Sequence, residues 1–287
     1  MRGALRPPTE ADIPSVVRLM SEYWPEPAYD DLARRTRSSP TFELEHDARL
    51  EPDAYADVGS LAFGDERVWI DLRGRPSAAM IDWAEARARQ KGNRLLAGSW
   101  TANELLLREL EWRGFRPVRH SHRMEIDLRE PSPAPIWPDG IVVRSFRRGD
   151  ERASHQTHQE SFADSWEPID EPFDEWAHWL LQPPAFVPEL SFLALTGDEP
   201  TGVALCHPHP GAPERGWVRI LGVRRQWRSR GLGRALLLHA FSEFRSRGLT
   251  RAGLGVDAES ATGANRLYEQ AGMHVAARFG IYEKAAE

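Results

Sequence analysis

The sequence predicts an α/β fold (an α+β mixed sheet) in which one unit occurs twice. Short apolar strands alternate with amphipathic helices along the 287 residues, and the same residue spacing recurs in both halves. A proline-rich segment, 131–138, separates the halves. Such a segment is stiff and extended, and it suits neither a helix nor a sheet. We therefore predict domains at 1–130 and 139–287, joined by a linker at 131–138.

Composition limits the class of protein. The chain is 41% hydrophobic and 28% charged, with a net charge of −6, which is typical of a soluble globular protein of about two domains. The acidic balance argues against a nucleic-acid partner. No apolar run reaches ~18 residues, so we expect a cytoplasmic protein without a membrane partner. We expect it to be a monomer or a homodimer. The single cysteine, Cys206, excludes an internal disulfide and a cysteine metal cage.

The first half contains the expected elements in order. Strands are predicted at 1–7, 54–63, 67–72, 95–100 and 118–128. A helix is predicted to begin after Thr9, which has the character of an N-cap, and further helices are predicted at 77–90 and 104–112. Residues 25–50 carry little signal.

The second half is predicted to have the same order of strands and helices as the first. Strands are predicted at 141–144, 191–195, 203–206, 217–223, 251–256 and 275–282. Helices are predicted at 150–164, 173–181, from 232 through 247, and over a segment that Gly272 ends.

A basic, glycine-bearing turn follows the strand 217–223 and leads directly into a helix. Gly231 and Gly233 permit a sharp turn with uncovered N–H groups, and Arg228, Arg230 and Arg234 add charge. This combination predicts a diphosphate cradle. A nucleoside-triphosphate loop is excluded because no Lys-Ser or Lys-Thr follows, and a dinucleotide fingerprint is excluded because the third glycine is absent.

Two motifs together resemble the GNAT acetyltransferase superfamily. The first is Arg-x-x-Gly-x-Gly at 228–233, which resembles the acetyl-CoA pyrophosphate loop of that family. The second, Ala264 to Met273, contains Leu-Tyr-Glu and a closing glycine and resembles a later family element. The resemblance covers nearly the whole chain and implies two tandem GNAT acyl-CoA N-acyltransferase domains. The tandem arrangement resembles the mycothiol synthase branch.

The first copy has the same frame without the residues that the chemistry needs. Pro76 occupies the position of the first repeat that corresponds to Gly231 in the second, and it has no N–H for a phosphate. Ala78 stands in the frame of Gly233, and Leu110 in that of Tyr268. We therefore expect a degenerate first domain and one acetyl-CoA site per chain, in the second domain.

The resemblance implies a set of cofactor contacts. The strand 217–223 splays from its neighbour in the family, so backbone groups of Leu221 and Val223 are expected to pair with pantetheine, and the Leu221 N–H to face the acetyl carbonyl. Ser260 stands where the family usually has Asn. The full expected set is Leu221, Val223, Arg228, Ser229, Arg230, Gly231, Leu232, Gly233, Arg234 and Ser260. Arg224 and Arg225 are expected to be a solvated surface pair.

Tyr268 resembles the family tyrosine that donates a proton to the departing CoA sulfur. A phenol is protonated at neutral pH and can donate. The alternative is a tyrosine that only packs in the core.

The sequence does not identify the general base. Trp217 stands where mycothiol synthases have a glutamate, and it cannot accept a proton. Glu214, His207 and a water chain are the alternatives. His207 and His209 flank Pro208, and sequence favours a solvated hairpin tip there. No metal is predicted, because a third ligand is absent.

The loop 164–172 contains four carboxylates and Trp166, which suit a protonated amine, although a solvated acidic loop fits equally. Arg219 is expected to meet a carboxylate of the substrate or of a neighbouring strand. The resulting prediction is acetyl-CoA-dependent N-acetylation of a primary amine of a small molecule, in a ternary complex. Mycothiol synthesis, peptide or protein N-acetylation, and non-catalytic acyl-CoA binding are the alternatives.

Overall fold

The computed structural model describes residues 5–20, 42–60, 67–166, 171–181, 186–209 and 212–285. It divides into two compact units, the first comprising Met1–Ser121 and Ala277–Glu287, the second His122–Ala276. The end of the chain from Ala277 thus belongs to the first unit. The domain boundaries at 130 and 139 stay a prediction, since these units divide elsewhere.

Eleven strands lie in the described residues. They are β1 (Ala48–Glu51), β2 (Ala54–Ser60), β3 (Arg67–Gly74), β4 (Arg94–Trp100), β5 (Arg116–Asp127), β6 (Val142–Ser145), β7 (Phe192–Thr196), β8 (Glu199–His209), β9 (Ala212–Val223), β10 (Arg251–Asp257) and β11 (His274–Ala285). The helices are α1 (Ile13–Met20), α2 (Leu44–Asp47), α3 (Ala78–Arg89), α4 (Glu104–Trp112), α5 (Glu151–Phe162), α6 (Phe173–Leu180), α7 (Leu232–Ser246) and α8 (Ala264–Gln270).

The first unit orders its strands β1-β2-β3-β4-β11. β3 and β4 are parallel, and β1–β2, β2–β3 and β4–β11 are antiparallel. One face of these strands packs on α3 and α4 through a buried apolar cluster that includes Ile70, Met80 and Leu110. Residues 1–4 and 61–63 of the predicted strands lie outside the described residues.

The second unit orders its strands β5-β10-β9-β8-β7-β6, with β9 and β10 parallel and β6 to β9 antiparallel. Apolar residues are buried on both faces. One core gathers on α7 and includes Leu236 and Phe241, and the other includes Trp176 of α6 and Ile220 of β9. The predicted mixed α/β architecture is therefore confirmed.

The linker 131–138 has no helix or strand in the structure. Its Trp137 packs against the second unit's core, with the ring centroid 5.8 Å from that of His239. Among the described helices, none combines the length and the apolar character that crossing a membrane requires.

The start of α3 in the first unit is capped by the protein's own side chains. Ser77 is the N-cap and accepts from the Met80 N–H. The Glu51 carboxylate accepts from both the Ser77 N–H (3.1 Å) and its hydroxyl (2.5 Å). A helix N-terminus favours an anion, and here a carboxylate of the same unit takes that place. Leu110 is fully buried. These contacts support the expectation of a degenerate first copy.

Candidate active site

β9 and β10 pair only at their beginnings. The parallel register runs from Arg215 opposite Arg251 to Val218 opposite Leu254, although β9 continues to Val223 and β10 to Asp257. On the other side of β9, the register with β8 shifts so that Arg219 is the extra residue of a bulge. The splay expected from the resemblance is thus present, and the β10-facing backbone of 219–223 lies outside the β9–β10 ladder.

The turn after β9 has left-handed backbone at alternate positions. Residues 225–227 form a short 3₁₀ turn, then Ser229 has φ 60° and Gly231 has φ 85°. Ser229 is the single non-glycine residue with positive φ in the described parts of the chain. Such backbone costs about 1–3 kcal/mol and tends to occur at functional sites. N–H groups in the first turn of α7 have no intrahelical acceptor, so the geometry of the turn and the helix start is compatible with the predicted diphosphate cradle.

Two residues of the turn have structural roles that sequence reasoning did not anticipate. Gly233 faces α8: a Cβ there would lie 3.1 Å from a methyl group of Leu267, so glycine allows the helix that carries Tyr268 to pack on the start of α7. Leu232 has a buried side chain, so only its backbone can contact a cofactor. Nothing lies within 4 Å of a Cβ built at Gly231.

Arg224 is not the solvated residue that sequence reasoning expected. It is 8% exposed, and its Nε lies 3.0 Å from Glu160 Oε2 of α5. Its Nη1 also donates to Glu199 Oε1 at 2.9 Å. The expectation was wrong because a run of arginines gives no sign of carboxylates that approach from distant parts of the chain.

Arg225 and Arg228 both bind the Asp164 carboxylate. Arg228 Nη1 lies 2.7 Å from Asp164 Oδ2, Nη2 donates to the Ser161 carbonyl at 2.9 Å, and Nε donates to the Val223 carbonyl at 3.3 Å. The two guanidinium groups lower the pKa of Asp164 below its usual value. The diphosphate contact expected of Arg228 stays a prediction, since its guanidinium is engaged by protein oxygens here.

The remaining two arginines of the turn carry no ion pair within the described residues. Arg230 is exposed, with its guanidinium carbon 4.9 Å from the centre of the Trp227 ring. Arg234 is half-buried in the first turn of α7. These two side chains are the cations of the turn that are free to meet a diphosphate.

Tyr268 is 8% exposed and belongs to the apolar core beside α7. Burial raises the pKa of Tyr268 to about 12, because an anionic phenolate loses its hydration there. The hydroxyl therefore remains protonated at neutral pH and can donate a proton. Its catalytic role stays a prediction.

Ser260 lies in the segment between β10 and α8, and the cofactor contact expected of it stays a prediction. The N-cap of α8 is Gly263, while the Ser260 hydroxyl lies 2.9 Å from that of Thr262. Asn265 donates to the carbonyl groups of Asp257 (2.8 Å) and Ala258 (3.2 Å). It therefore fixes α8 to the end of β10.

The histidines that sequence reasoning assigned to a solvated hairpin tip are buried. His207 and His209 lie in β8, and they are 3% and 1% exposed. The Pro208 carbonyl, 2.8 Å from His207 Nδ1, can only accept, so Nδ1 carries the proton and Nε2 is the basic nitrogen. Burial and nearby arginines lower the pKa of His209 to about 4.

The two candidate bases differ in their distance from the splay. His207 lies opposite Trp217, and Trp217 is opposite Gly253 near the last β9–β10 pairs. Glu214 precedes Leu221 by seven residues on the same strand, which corresponds to ~23 Å of extended chain. The structure therefore favours His207 over Glu214. The described residues contain no group of three side chains suited to a metal ion.

Only part of the expected amine-binding loop is described. Residues 167–170 lie outside the described residues, and Asp164 is neutralised by its arginines. Glu171 is half-buried; burial and the neighbouring Glu175 raise its pKa, which Arg219 partly offsets. Its carbonyl lies 2.8 Å from His155 Nε2 and accepts from Gln159 at 3.1 Å. These contacts hold the backbone of Glu171 against α5.

α5 and α6 are joined by a buried hydrogen bond that makes a pH-dependent prediction. The Trp176 indole N–H donates to His158 Nδ1 at 2.8 Å, and burial, with His155 and Arg219 nearby, lowers the pKa of His158 to about 3. The unfolded chain binds this proton near pH 6.5 and the folded one does not, so stability falls as pH drops from 6.5 toward 3, by about 1.4 kcal/mol per unit at most.

The variant His158→Asn keeps a hydrogen-bond acceptor near the position of Nδ1 but does not titrate. Between pH 7 and pH 5, we expect its free energy of unfolding to fall by about 2 kcal/mol less than that of wild type. Urea unfolding at the two pH values measures the difference. His274→Asn, at an exposed histidine, is the matched control. Equal losses in wild type and His158→Asn would contradict the neutral buried histidine.

Comparison with known proteins agrees with the fold. The sequence profile of the acetyltransferase (GNAT) family matches residues 153–273. A mycothiol acetyltransferase of Thermobispora bispora is 33% identical over 229 residues, which cover 71% of this chain and 75% of that protein. A GCN5-related N-acetyltransferase from Sphaerobacter thermophilus superposes with a TM-score of 0.80 at 30% identity, over 99% of this chain and 96% of the other.

A tandem GNAT protein from the clavulanic acid biosynthesis pathway shares the fold over 99% of this chain and 98% of its own, with a TM-score of 0.73 and 14% identity. The chain belongs to the GNAT acetyltransferase family and is an N-acetyltransferase of tandem-domain type. The predicted family, fold class and enzyme class are therefore confirmed. Enzymes of this family use acetyl-CoA as the acyl donor.

Proposed function

We propose that the second unit binds acetyl-CoA in the β9–β10 splay and acetylates a primary amine of a small molecule by direct transfer in a ternary complex. The observation that carries this proposal is the coincidence of three features in one unit: an unpaired strand backbone, a turn with positive φ before α7, and a buried tyrosine on α8. In the first unit, the Glu51 carboxylate lies at the start of α3, the helix that corresponds to α7, and Leu110 occupies the position that corresponds to Tyr268.

The residues present fit the cofactor. N–H groups of the turn Ser229–Gly231 and the start of α7 would hold the diphosphate, with Arg230 and Arg234 supplying charge. Backbone groups of Leu221 and Val223 would hold the pantetheine arm. Acetyl-CoA supplies an acetyl group activated as a thioester.

The reaction needs one bond formed and one broken. The neutral amine nitrogen attacks the acetyl carbon, the carbon–sulfur bond breaks, and the sulfur takes a proton from the Tyr268 hydroxyl. The Leu221 N–H would stabilise negative charge on the carbonyl oxygen. His207 Nε2, directly or through water, would take the proton that the amine loses.

The acceptor is expected to approach from the side of α5 and α6. Glu171, with Glu175 nearby, offers negative charge for a protonated amine before it loses its proton. The relative from Thermobispora bispora is a mycothiol acetyltransferase, which favours a small acceptor over a peptide. Trp217, in place of the glutamate expected of mycothiol synthases, favours a different amine from theirs.

The test is the release of CoA thiol from acetyl-CoA by the full chain with a panel of amino sugars, amino acids, polyamines and short peptides. A thiol reagent suits this assay, because Cys206 is buried and burial raises the pKa of its thiol. We expect release with at least one small amine. CoA binding without release for any amine would support the acyl-CoA-binding alternative, and release only with peptides would support peptide acetylation.

A further inference from the structure

One buried hydroxyl in the second unit lies beside the proposed cofactor strand without a hydrogen-bond partner. Ser161 belongs to the last turn of α5 and is 9% exposed. Within the described residues, its Oγ neither donates to nor accepts from any group. A buried polar group without a partner lowers stability, and native proteins contain few of them. The missing partner of Ser161 is therefore a candidate ligand group.

Ser161 occupies the space that a side chain at Gly222 would need. A Cβ built at Gly222 would lie 2.9 Å from the Ser161 Cβ and 3.0 Å from its Oγ. Because Gly222 has no side chain, α5 packs directly on β9 at this point and brings the hydroxyl to the strand. The hydroxyl thus lies on the α5 side of β9, between Leu221 and Val223 along the strand.

The backbone groups of Leu221 and Val223 face the open side of β9. The Arg224 N–H donates to the Thr201 carbonyl of β8 at 3.0 Å, and the direction of backbone groups alternates from one residue of a strand to the next. Groups of Gly222 therefore face β8, and those of its two neighbours face the side of β10, where the ladder has already ended. An extended chain that carries amide groups can pair with this edge.

The backbone of Ser161 is bound to the turn that follows β9. Its carbonyl accepts from Arg228 Nη2 at 2.9 Å, so the last turn of α5 is held close to both the turn and the unpaired part of β9. In the proposed function, the diphosphate lies at the turn and the acetyl group lies at Leu221. The pantetheine arm joins these two groups and passes Gly222, and its amide carbonyls can accept from a hydroxyl.

We propose that the Ser161 hydroxyl donates a hydrogen bond to an amide carbonyl of the pantetheine arm and so binds CoA from the α5 side of β9. The inference rests on the proposed function of the β9–β10 splay, and it adds a side chain of α5 to the expected cofactor contacts. The cofactor supplies the partner that the described residues do not. The free protein therefore retains this hydroxyl at a cost to its stability.

The test compares two ligands of the full chain by titration calorimetry. CoA contains the pantetheine arm, whereas phosphoadenosine diphosphate, its nucleotide half, ends at the diphosphate. The variant Ser161→Ala keeps the Cβ that packs on Gly222. We expect it to bind CoA about three- to tenfold more weakly than wild type, the range that corresponds to the loss of one hydrogen bond. Its affinity for phosphoadenosine diphosphate should equal that of wild type.

Ser154→Ala is the matched control. Ser154 is a fully buried serine of the same helix, and its Oγ also has no partner among the described residues. It lies about two helical turns, or ~10 Å, before Ser161 and therefore away from the end of α5 that meets the turn. This variant should bind both ligands as wild type does. A loss of CoA affinity as large as that of Ser161→Ala would assign the effect to the packing of α5 and contradict the inference.

Thermal unfolding gives a readout that does not depend on activity. Without ligand, Ser161→Ala should unfold at the same temperature as wild type or at a higher one, because it removes a buried hydroxyl that has no partner. At the same CoA concentration, the rise in Tm should be larger for wild type, since a ligand stabilises more when it binds more tightly. A clearly lower Tm of ligand-free Ser161→Ala would indicate a structural partner and overturn the inference.

The binding results separate a failure of the inference from a failure of the proposed function. Equal affinity of wild type and Ser161→Ala for CoA would overturn the inference and leave the proposed function intact. Weaker binding of both ligands by Ser161→Ala would place the effect at the diphosphate and overturn it equally. Failure of wild type to bind CoA would contradict the proposed function itself, and the inference with it.

Discussion

Replacing Tyr268 with Phe should lower turnover by ~10²-fold or more while CoA binds as in wild type, because general acid catalysis typically contributes that much. The ring is 8% exposed and packs in the core, and Phe preserves this packing. The measurement is kcat with saturating acetyl-CoA and the most active amine of the panel, together with the Kd for CoA from calorimetry.

The pH dependence gives this prediction a second readout. The pKa of Tyr268 is raised to about 12, so the phenol stays protonated and able to donate up to about pH 10. The loss in Tyr268→Phe should therefore be the same at pH 7 and pH 9. Tyr282→Phe is the matched control, because Tyr282 is also buried but lies in the first unit and donates to Glu111. Wild-type turnover in Tyr268→Phe would leave Tyr268 a packing residue.

Replacing Gly231 with Pro should weaken CoA binding by ~100-fold or more, equivalent to about 2.7 kcal/mol. Gly231 has φ 85°, which the proline ring cannot adopt, and proline also removes an N–H of the proposed cradle. Calorimetry should give one CoA site per wild-type chain, because Glu51 occupies the helix start in the first unit.

Gly231→Asn is the control for backbone conformation, since asparagine tolerates positive φ and keeps the N–H. A Cβ at this position meets nothing within 4 Å, so we expect Asn to retain most of the affinity. Thermal unfolding should show that both variants are folded. Two equivalent sites in wild type, or undiminished binding in Gly231→Pro, would contradict the proposed cradle.

Several features of the site could be predicted from sequence because they depend on residues close together in the chain. The turn from Arg228 to Gly233 and its helix are local, since glycine, charge and helix start act within a few residues. Tyr268 is recognisable from its own short motif. The absence of a phosphate cradle from the first copy could be predicted from Pro76, since proline lacks an N–H.

Other features depend on residues far apart in sequence, and sequence reasoning placed them wrongly or left them open. His207 and His209 were expected in solvent, yet β8 lies inside the sheet and buries both. The end of the chain from Ala277 pairs with β4 instead of completing the second unit. Strand order depends on which strands, distant in sequence, pair with each other, and the pattern of apolar and polar residues within one strand does not specify its partner.

The sequence by itself determined the family and the doubled architecture, and it predicts a cradle at 228–234 and a proton donor at Tyr268, since each rests on a short run of residue types. Only the tertiary structure decided which of the five arginines of the turn are free. Arg224, Arg225 and Arg228 meet Glu160 and Asp164, some 60 residues earlier, while Arg230 and Arg234 do not. The physical reason is that an arginine binds whichever carboxylate the fold brings within hydrogen-bonding distance, and that distance is a property of packing.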